Sequence, residues 1–258
     1  MGRAPASRNR PKVLGVIPAH LESVRLPRKP LRLIAGHPMI SWVYHRARQS
    51  SSLDKLLIAT DSDEIVAFCE EGGIPAVRTS SQHQSGTDRL MEVARREPAD
   101  IYVNIQGDEP MVTGDHVELL LGPFHEDPGT QVSTLKVAIT AEEARDPNNV
   151  KVVTDARGKA LYFSRAQIPH NRDASGRVRY YKHLGIYAYS AAALEKFGAL
   201  PPSTLERQER LEQLRFLENG VPILVVETPD DTIGVDTEEN LRQVEEYFER
   251  NGIRLDLG

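Results

Sequence analysis

Arg25, Arg28 and Lys29 fall within five residues of one another, in a segment that Pro18, Pro27 and Pro30 stiffen. Cations on a backbone of restricted φ lose little freedom on meeting an anion, so this segment suits a polyphosphate. Two carboxylates lie far from it in sequence: Asp108 in Gln106-Gly-Asp-Glu-Pro110 and Asp236 in Ile233-Gly-Val-Asp-Thr237. Each follows an apolar run, and such a pair suits Mg2+, a hard cation that takes one or two carboxylates and completes its shell with phosphate oxygens and water. In His183-Leu-Gly-Ile-Tyr-Ala-Tyr189, strand alternation puts His183, Gly185, Tyr187 and Tyr189 on one face, polar and aromatic with room left by glycine, as a sugar would need. Helical spacing of Leu211, Leu214 and Leu217 turns Glu212 and Gln213 toward another surface. Each group also has a plainer reading: a solvated basic loop, a turn and a helix N-cap, a half-buried strand at a subunit contact, an exposed helix face.

Position shifts the odds between these readings without closing them, because open α/β sheets bind ligands beyond the carboxyl ends of their strands. Val13–Ile17 reads as a buried strand ended by Pro18, and a helix is expected from Pro38 to Gln49. Leu56–Thr60 is the next strand. Asp61-Ser-Asp-Glu64 then caps a helix that Gly72-Gly73 stops, and Ser85-Gly-Thr-Asp88 opens another through Arg96. Ile101–Ile105 follows as a compact strand, and strand, helix, strand, helix, strand means a parallel sheet covered on both faces. After Val132 strands come faster, at 132–139, 150–154, 160–163 and 181–189, which implies antiparallel or mixed pairing. Residues 171–179 read as a polar loop, 203–219 as helical, 223–226 as a strand and 237–250 as a terminal helix. Neither G-x-G-x-x-G after the first strand nor G-x-x-x-x-G-K-[ST] occurs, so any phosphate cradle here is of another kind.

The 258 residues carry 37 acidic and 32 basic side chains, a net charge of −5, with 40% hydrophobic and 27% charged residues. These are the proportions of a soluble folded protein, and the acidic balance argues against a broad nucleic-acid surface. A lone Cys69 excludes an intrachain disulfide and a cysteine-based zinc site. No apolar run approaches the ~18 residues of a membrane span. Val13–Ile17 is too short for a signal-peptide core of ~7–15 residues, so a cytoplasmic protein without membrane insertion is expected. Residues 1–11 are expected to form a flexible tail and 12–258 a single domain.

Taken together, Ile17-Pro-Ala, Arg25-Leu-Pro, Lys29-Pro-Leu31, His83-Gln-Ser-Gly-Thr-Asp-Arg89, Asn104-Ile-Gln-Gly-Asp-Glu-Pro110, Asn149-Val-Lys-Val-Val153, Leu161-Tyr-Phe-Ser-Arg165, His183-Leu-Gly-Ile-Tyr187, Leu211-Glu-Gln-Leu-Arg215 and Gly234-Val-Asp236 strongly resemble the 3-deoxy-manno-octulosonate (KDO) cytidylyltransferases, over about residues 12 to 250 and in the right order. The resemblance implies an α/β fold with a Rossmann-like, mostly parallel sheet of the nucleotide-diphospho-sugar transferase type, in which residues 130–190 form a mixed-strand insertion that makes a homodimer interface. It implies transfer of CMP from CTP to the anomeric hydroxyl of KDO, with Mg2+ as cofactor, for lipopolysaccharide or capsule synthesis. Carried over by motif, Asp108 and Asp236 bind the metal and act in catalysis together with Arg25 and Lys29. Pro18, Ala19, Ser23, Arg25, Lys29, Ser80, Ser85, Gly86 and Gln106 hold the nucleotide, and Arg165, His183, Tyr189, Glu212 and Gln213 line the sugar pocket. Two positions depart from the family: His20 where it usually has Arg, and Arg28 where it usually has Gly. The first exchanges a permanent cation for a side chain that can be neutral near pH 7, and Arg28 is expected to restore charge nearby. An 8-amino-KDO or sialic acid cytidylyltransferase and an inactive nucleotide-binding paralogue are the competing expectations.

Overall fold

A computed structural model of the chain describes residues 10–256 except 24, 84, 174, 175 and 177. Nearly all of the expected 1–11 tail, and part of the expected 171–179 loop, therefore lie outside the described residues. Strand β1 (Val13–Ala19) leads through the cationic loop to a short hairpin, β2 (Leu33–Ile34) and β3 (His37–Pro38), and helix α1 (Met39–Ala47). The chain continues through β4 (Lys55–Thr60), α2 (Asp63–Glu71), β5 (Ala76–Arg78), α3 (Gly86–Arg96), β6 (Ile101–Asn104) and α4 (Gly114–Glu126). Then come β7 (Val132–Ile139), β8 (Lys151–Thr154), β9 (Ala160–Ser164) and β10 (Tyr180–Ser190). Helices α5 (Ala191–Ala199), α6 (Thr204–Glu209) and α7 (Leu214–Glu218), strand β11 (Ile223–Glu227) and α8 (Glu238–Arg250) complete it.

The main sheet runs β11-β7-β10-β6-β1-β4-β5. β1 pairs in parallel with β4 and β6, as do β4 with β5 and β7 with β11, whereas β10 lies antiparallel between β6 and β7. β1 is buried along its whole length, as a central parallel strand covered on both faces must be. One face packs Ile40 and Val43 of α1, Ile65 of α2 and Val117 and Leu120 of α4; the other packs Leu90 of α3, Phe197 of α5 and Phe216 of α7. α8 closes one end, where Val244 and Phe248 meet Trp42, Leu26 and Val235. Within residues 130–190, β7 and β10 are integral to this sheet, and the β8–β9 hairpin is the part that branches off it. No helix among the described residues is long and apolar enough to cross a membrane.

The sheet itself reaches past its own carboxyl edge. Asn104, the last residue of β6, is level with Tyr187, so residues 180–186 of β10 run on beyond β6 while still pairing with β7. The register shifts between Leu184 and Tyr187, and alternation survives the shift: Leu184, Ile186 and Ala188 enter the core on one face, Tyr187 and Tyr189 on the other.

Three expectations need correction. β1 does not stop at Pro18 but continues to Ala19 along β4; β6 pairs with it only as far as Val16, so Pro18 has a neighbouring strand on one side alone, where a missing N–H is tolerated. Residues 203–219 are two helices, broken by Arg210 in the left-handed region at φ 55. Helices α4 and α5 occupy stretches for which no helix was expected.

The break between α6 and α7 is held by a buried ion pair. Arg215 donates from Nε to Glu206 at 2.8 Å, its Nη2 lies 2.5 Å from the other carboxylate oxygen, and its guanidinium stacks 4.1 Å from the Phe197 ring. Glu206 also accepts from the Ser203 N–H, closing a capping box on α6. Arg215→Met leaves the Glu206 carboxylate nearly buried without its partner, and is expected to cost about 3 kcal/mol, read from urea denaturation at pH 7.

Candidate active site

Lys29 sits in a single 3-10 turn after the cationic loop, and its ammonium lies 2.6 Å from Asp108 and 3.0 Å from Asp236. Arg25 reaches the other oxygen of Asp236 at 2.8 Å. The sequence-distant carboxylates and the cations of the first loop thus meet at one point beyond the ends of β1 and β6. Two close approaches bring them there. A Cβ on Gly107 would stand 2.7 Å from the Pro18 carbonyl oxygen, so only glycine lets the Asp108 turn lie against β1. The Val235 N–H donates to the Asp108 carbonyl at 2.8 Å, which fixes the Asp236 segment to the same turn. Thr237, and not Asp236, is the N-cap of α8, its hydroxyl accepting from the Asn240 N–H, so Asp236 stays available to the site. Burial alone would lower the Lys29 pKa, but Asp108 and Asp236 outweigh it and raise the pKa. Both carboxylates already share one cation, so their disposition fits a divalent ion. Two carboxylates are as many as Mg2+ commonly takes from a protein, the rest of its shell being phosphate oxygens and water.

A cleft of about 390 Å3 opens here, lined by Pro18, Ala19, Ser23, Arg25, Lys29, Ser85, Gly86 and Gln106 together with His20, His83 and Arg89. Ser85 is the N-cap of α3 and accepts from the Asp88 N–H. Ser80 stands behind the cleft, its N–H donating to Glu92 and its carbonyl accepting from Arg89. Arg28 does not restore charge in the cleft: it adopts φ 58, a conformation in which glycine is at ease, and pairs with Glu64 of α2. Arg89 and Asp61, neither singled out from sequence, form a buried pair at 3.3 Å with His20 bonded to the same carboxylate. Burial favours the neutral acid at Asp61, but the His20 and Arg89 contacts prevail and hold its pKa below the usual carboxylate range.

A second cleft of about 1220 Å3 adjoins the first and shares Arg25, Ser85, Gly86, Gln106 and Asp236 with it. All five expected sugar-site residues, Arg165, His183, Tyr189, Glu212 and Gln213, line it. Glu212 accepts from the Thr87 hydroxyl at 2.8 Å, and Arg165 is oriented by the carbonyls of Glu209 and Pro147. Gln213, for which an exposed helix face was the plainer reading, is 6% exposed, and its amide nitrogen has no hydrogen-bond partner among the described residues. Glu109, given no role in the sequence reading although it adjoins Asp108, has one carboxyl oxygen in the same condition; burial, then the neighbouring Asp108, pushes its pKa up to about 7. Unpartnered buried polar atoms on a cleft wall are costly unless a ligand satisfies them.

His183 lies 2.9 Å from the Thr134 hydroxyl, which in turn contacts the carbonyls of Leu184 and Ile186. Those carbonyls only accept, so the hydroxyl proton goes to one of them and His183 donates from Nε2, leaving Nδ1 as an acceptor. Burial, then Lys182, pushes the His183 pKa down to about 3. A depressed pKa makes stability present above the unfolded value near ~6.5 and lost as pH falls toward the folded one. His183→Asn should therefore flatten the pH dependence of the urea midpoint between pH 6.5 and 4.5, where His183 contributes about 1.4 kcal/mol for each pH unit.

The chain matches the family described as Cytidylyltransferase over residues 14–227. A protein of Acidobacterium capsulatum named 3-deoxy-manno-octulosonate cytidylyltransferase is 59% identical over 236 residues, covering 92% of this chain and 96% of that one. The chain belongs to the 3-deoxy-manno-octulosonate cytidylyltransferase family. A Koribacter versatilis protein of the same name is 53% identical over 237 residues, 92% of this chain and 90% of its own. The solved structure of a CMP:2-keto-3-deoxy-manno-octonic acid synthetase complexed with CTP superposes with a TM-score of 0.90 at 45% identity, covering 93% of this chain and 99% of that one. A Bacillus anthracis structure described as a glucose-1-phosphate thymidylyltransferase shares the fold alone, with a TM-score of 0.66 at 18% identity, 95% of this chain and 97% of that chain being covered. Membership of the 3-deoxy-manno-octulosonate cytidylyltransferase family makes the chain a nucleotidyltransferase.

Proposed function

We propose that the chain transfers CMP from CTP to the anomeric hydroxyl of KDO and releases pyrophosphate, with Asp108 and Asp236 holding Mg2+. The observation that carries this reading is the junction of the two clefts: a cation-lined space of about 390 Å3 opens into a larger one with unpartnered polar groups, and Asp236 and Gln106 border both. Mg2+ held there would acidify the attacking hydroxyl and offset charge at the α-phosphate. Arg25 and Lys29 neutralise the phosphates of the leaving group, an electrostatic task that also offsets repulsion between the sugar carboxylate and CTP. Glu212, Gln213 and the Nδ1 of His183 offer acceptors and a donor to sugar hydroxyls, while Arg165 supplies a cation for the sugar carboxylate. In the transfer the sugar oxygen bonds to the α-phosphorus, the bond to the β-phosphate oxygen breaks, and the hydroxyl proton passes to solvent.

Pyrophosphate release with Mg2+, pairing CTP, UTP and ATP with KDO, 8-amino-KDO and N-acetylneuraminate, tests the reading. Release with CTP and KDO is the expected result. Release with UTP but not CTP overturns the base assignment, faster release with 8-amino-KDO moves the sugar assignment, and no release with any sugar leaves an inactive paralogue. We further place the reaction in the cytoplasm, where nucleoside triphosphates are consumed, with the activated sugar serving lipopolysaccharide or capsule. The working form we propose is a homodimer through residues 130–190; a monomer mass by light scattering at micromolar concentration would count against it.

A further inference from the structure

His20 stands on the wall of the smaller cleft in an arrangement that fixes which of its nitrogens carries a proton. Its Nδ1 lies 3.1 Å from both oxygens of Asp61, an ionised carboxylate that can only accept, so Nδ1 bears the hydrogen. Asp61 is itself held in place: its side chain is 7% exposed and meets the guanidinium of Arg89, 5% exposed, at 3.3 Å. In the neutral ring the Nδ1 proton is the sole one, and Nε2 offers a lone pair. The charged groups facing the ring are Asp61 after β4, Arg89 of α3 behind it, and Glu22 of the same loop, whose carboxylate is 3.9 Å from Nε2 but 93% exposed. Arg25, Lys29, Asp108 and Asp236 line the same cleft, as does His83, which is paired with Glu92 at 2.5 Å. A bare lone pair repels a phosphate oxygen, whereas Nε2–H on an imidazolium attracts it and lets Asp61 keep its bond.

Resting on the reading that CTP occupies this cleft, we propose that His20 binds the triphosphate only as the imidazolium, so that each CTP bound takes up a proton at this residue. Asp61 is then a positioning residue that pins the ring, and Arg89 holds Asp61. Because the side chain of His20 is 48% exposed, replacing it empties no core.

The test is calorimetry of Mg2+–CTP binding from pH 6 to 8.5, in pairs of buffers that differ in ionisation enthalpy, for the wild type, His20→Arg and His20→Gln. The terminal phosphate of CTP has its own ionisation near ~6, common to all three proteins, so differences between them isolate His20. In the wild type CTP affinity should fall by about tenfold in all between pH 6 and 8.5 relative to His20→Arg, with proton uptake seen as a buffer-dependent heat. In His20→Arg both the slope and the excess uptake should vanish while tight binding persists at pH 8.5. His20→Gln should bind about tenfold more weakly at pH 6 and converge with the wild type at pH 8.5. Equal uptake and equal slope in the wild type and His20→Arg overturn the proposal while leaving the CTP reading intact. Absence of CTP binding to the wild type at every pH overturns both.

Discussion

Asp108→Asn is expected to lower kcat at least ~1000-fold while leaving CTP affinity within about threefold. The Asp108 carboxylate lies at the point where Lys29, Asp236 and the first loop meet, and its backbone is fixed by Gly107 against β1 and by the Val235 N–H. Asparagine keeps this geometry and removes the charge alone. A charge that acts on the reacting phosphate supplies several kcal/mol in the transition state, and each ~1.4 kcal/mol is tenfold in rate. On the proposed reading the nucleotide meets the whole lining of the smaller cleft, so its ground-state binding has many other contacts. The same separation of kcat from binding is expected for Asp236→Asn. Near-normal turnover in either variant, measured by pyrophosphate release, would remove that carboxylate from the metal role.

The second large effect runs in two directions. Lys29→Met should lower kcat/KM for CTP about a hundredfold, because a charge-assisted contact to the leaving phosphates is lost. The same variant should bind Mn2+ more tightly than the wild type when no nucleotide is present, by about tenfold in a calorimetric titration. Lys29 bridges Asp108 and Asp236 in this structure, and a divalent cation must share those oxygens with the ammonium. Removing it leaves two carboxylates with one fewer competitor. Weaker Mn2+ binding in Lys29→Met would show that the lysine organises the pair rather than competing for it.

The central strands could be read from the chain because strands buried on both faces are written as apolar runs, as in Val13–Ile17 and Ile101–Ile105. The caps at Ser62 and Ser85 were equally plain, since a hydroxyl at that position has one local task. α4 was hidden by Gly122-Pro123, which reads as a helix breaker although Pro123 lies inside the helix. Nothing local marks Arg210 as a left-handed residue; the turn is held by Arg215 and Glu206 from either side of it. At the site, motif position pointed to residues that line the two clefts, apart from Ser80. The groups it missed depend on assembly. Glu109 owes its raised pKa to burial and to Asp108, and Arg89 acquires its partner from the end of β4. Such environments are made by folding and have no trace in either segment alone.

β10 runs on past the end of β6 and carries His183 and Tyr187 to the larger cleft. Part of that cleft's wall is therefore sheet backbone bonded to β7, and it is shaped when the chain folds rather than when a ligand arrives. The ordering entropy of those residues is paid once, in folding, and is not subtracted again from the affinity for a ligand bound against them. Such a wall would discriminate by rejection: a ligand whose hydroxyls are misplaced against it must leave buried polar groups unmet.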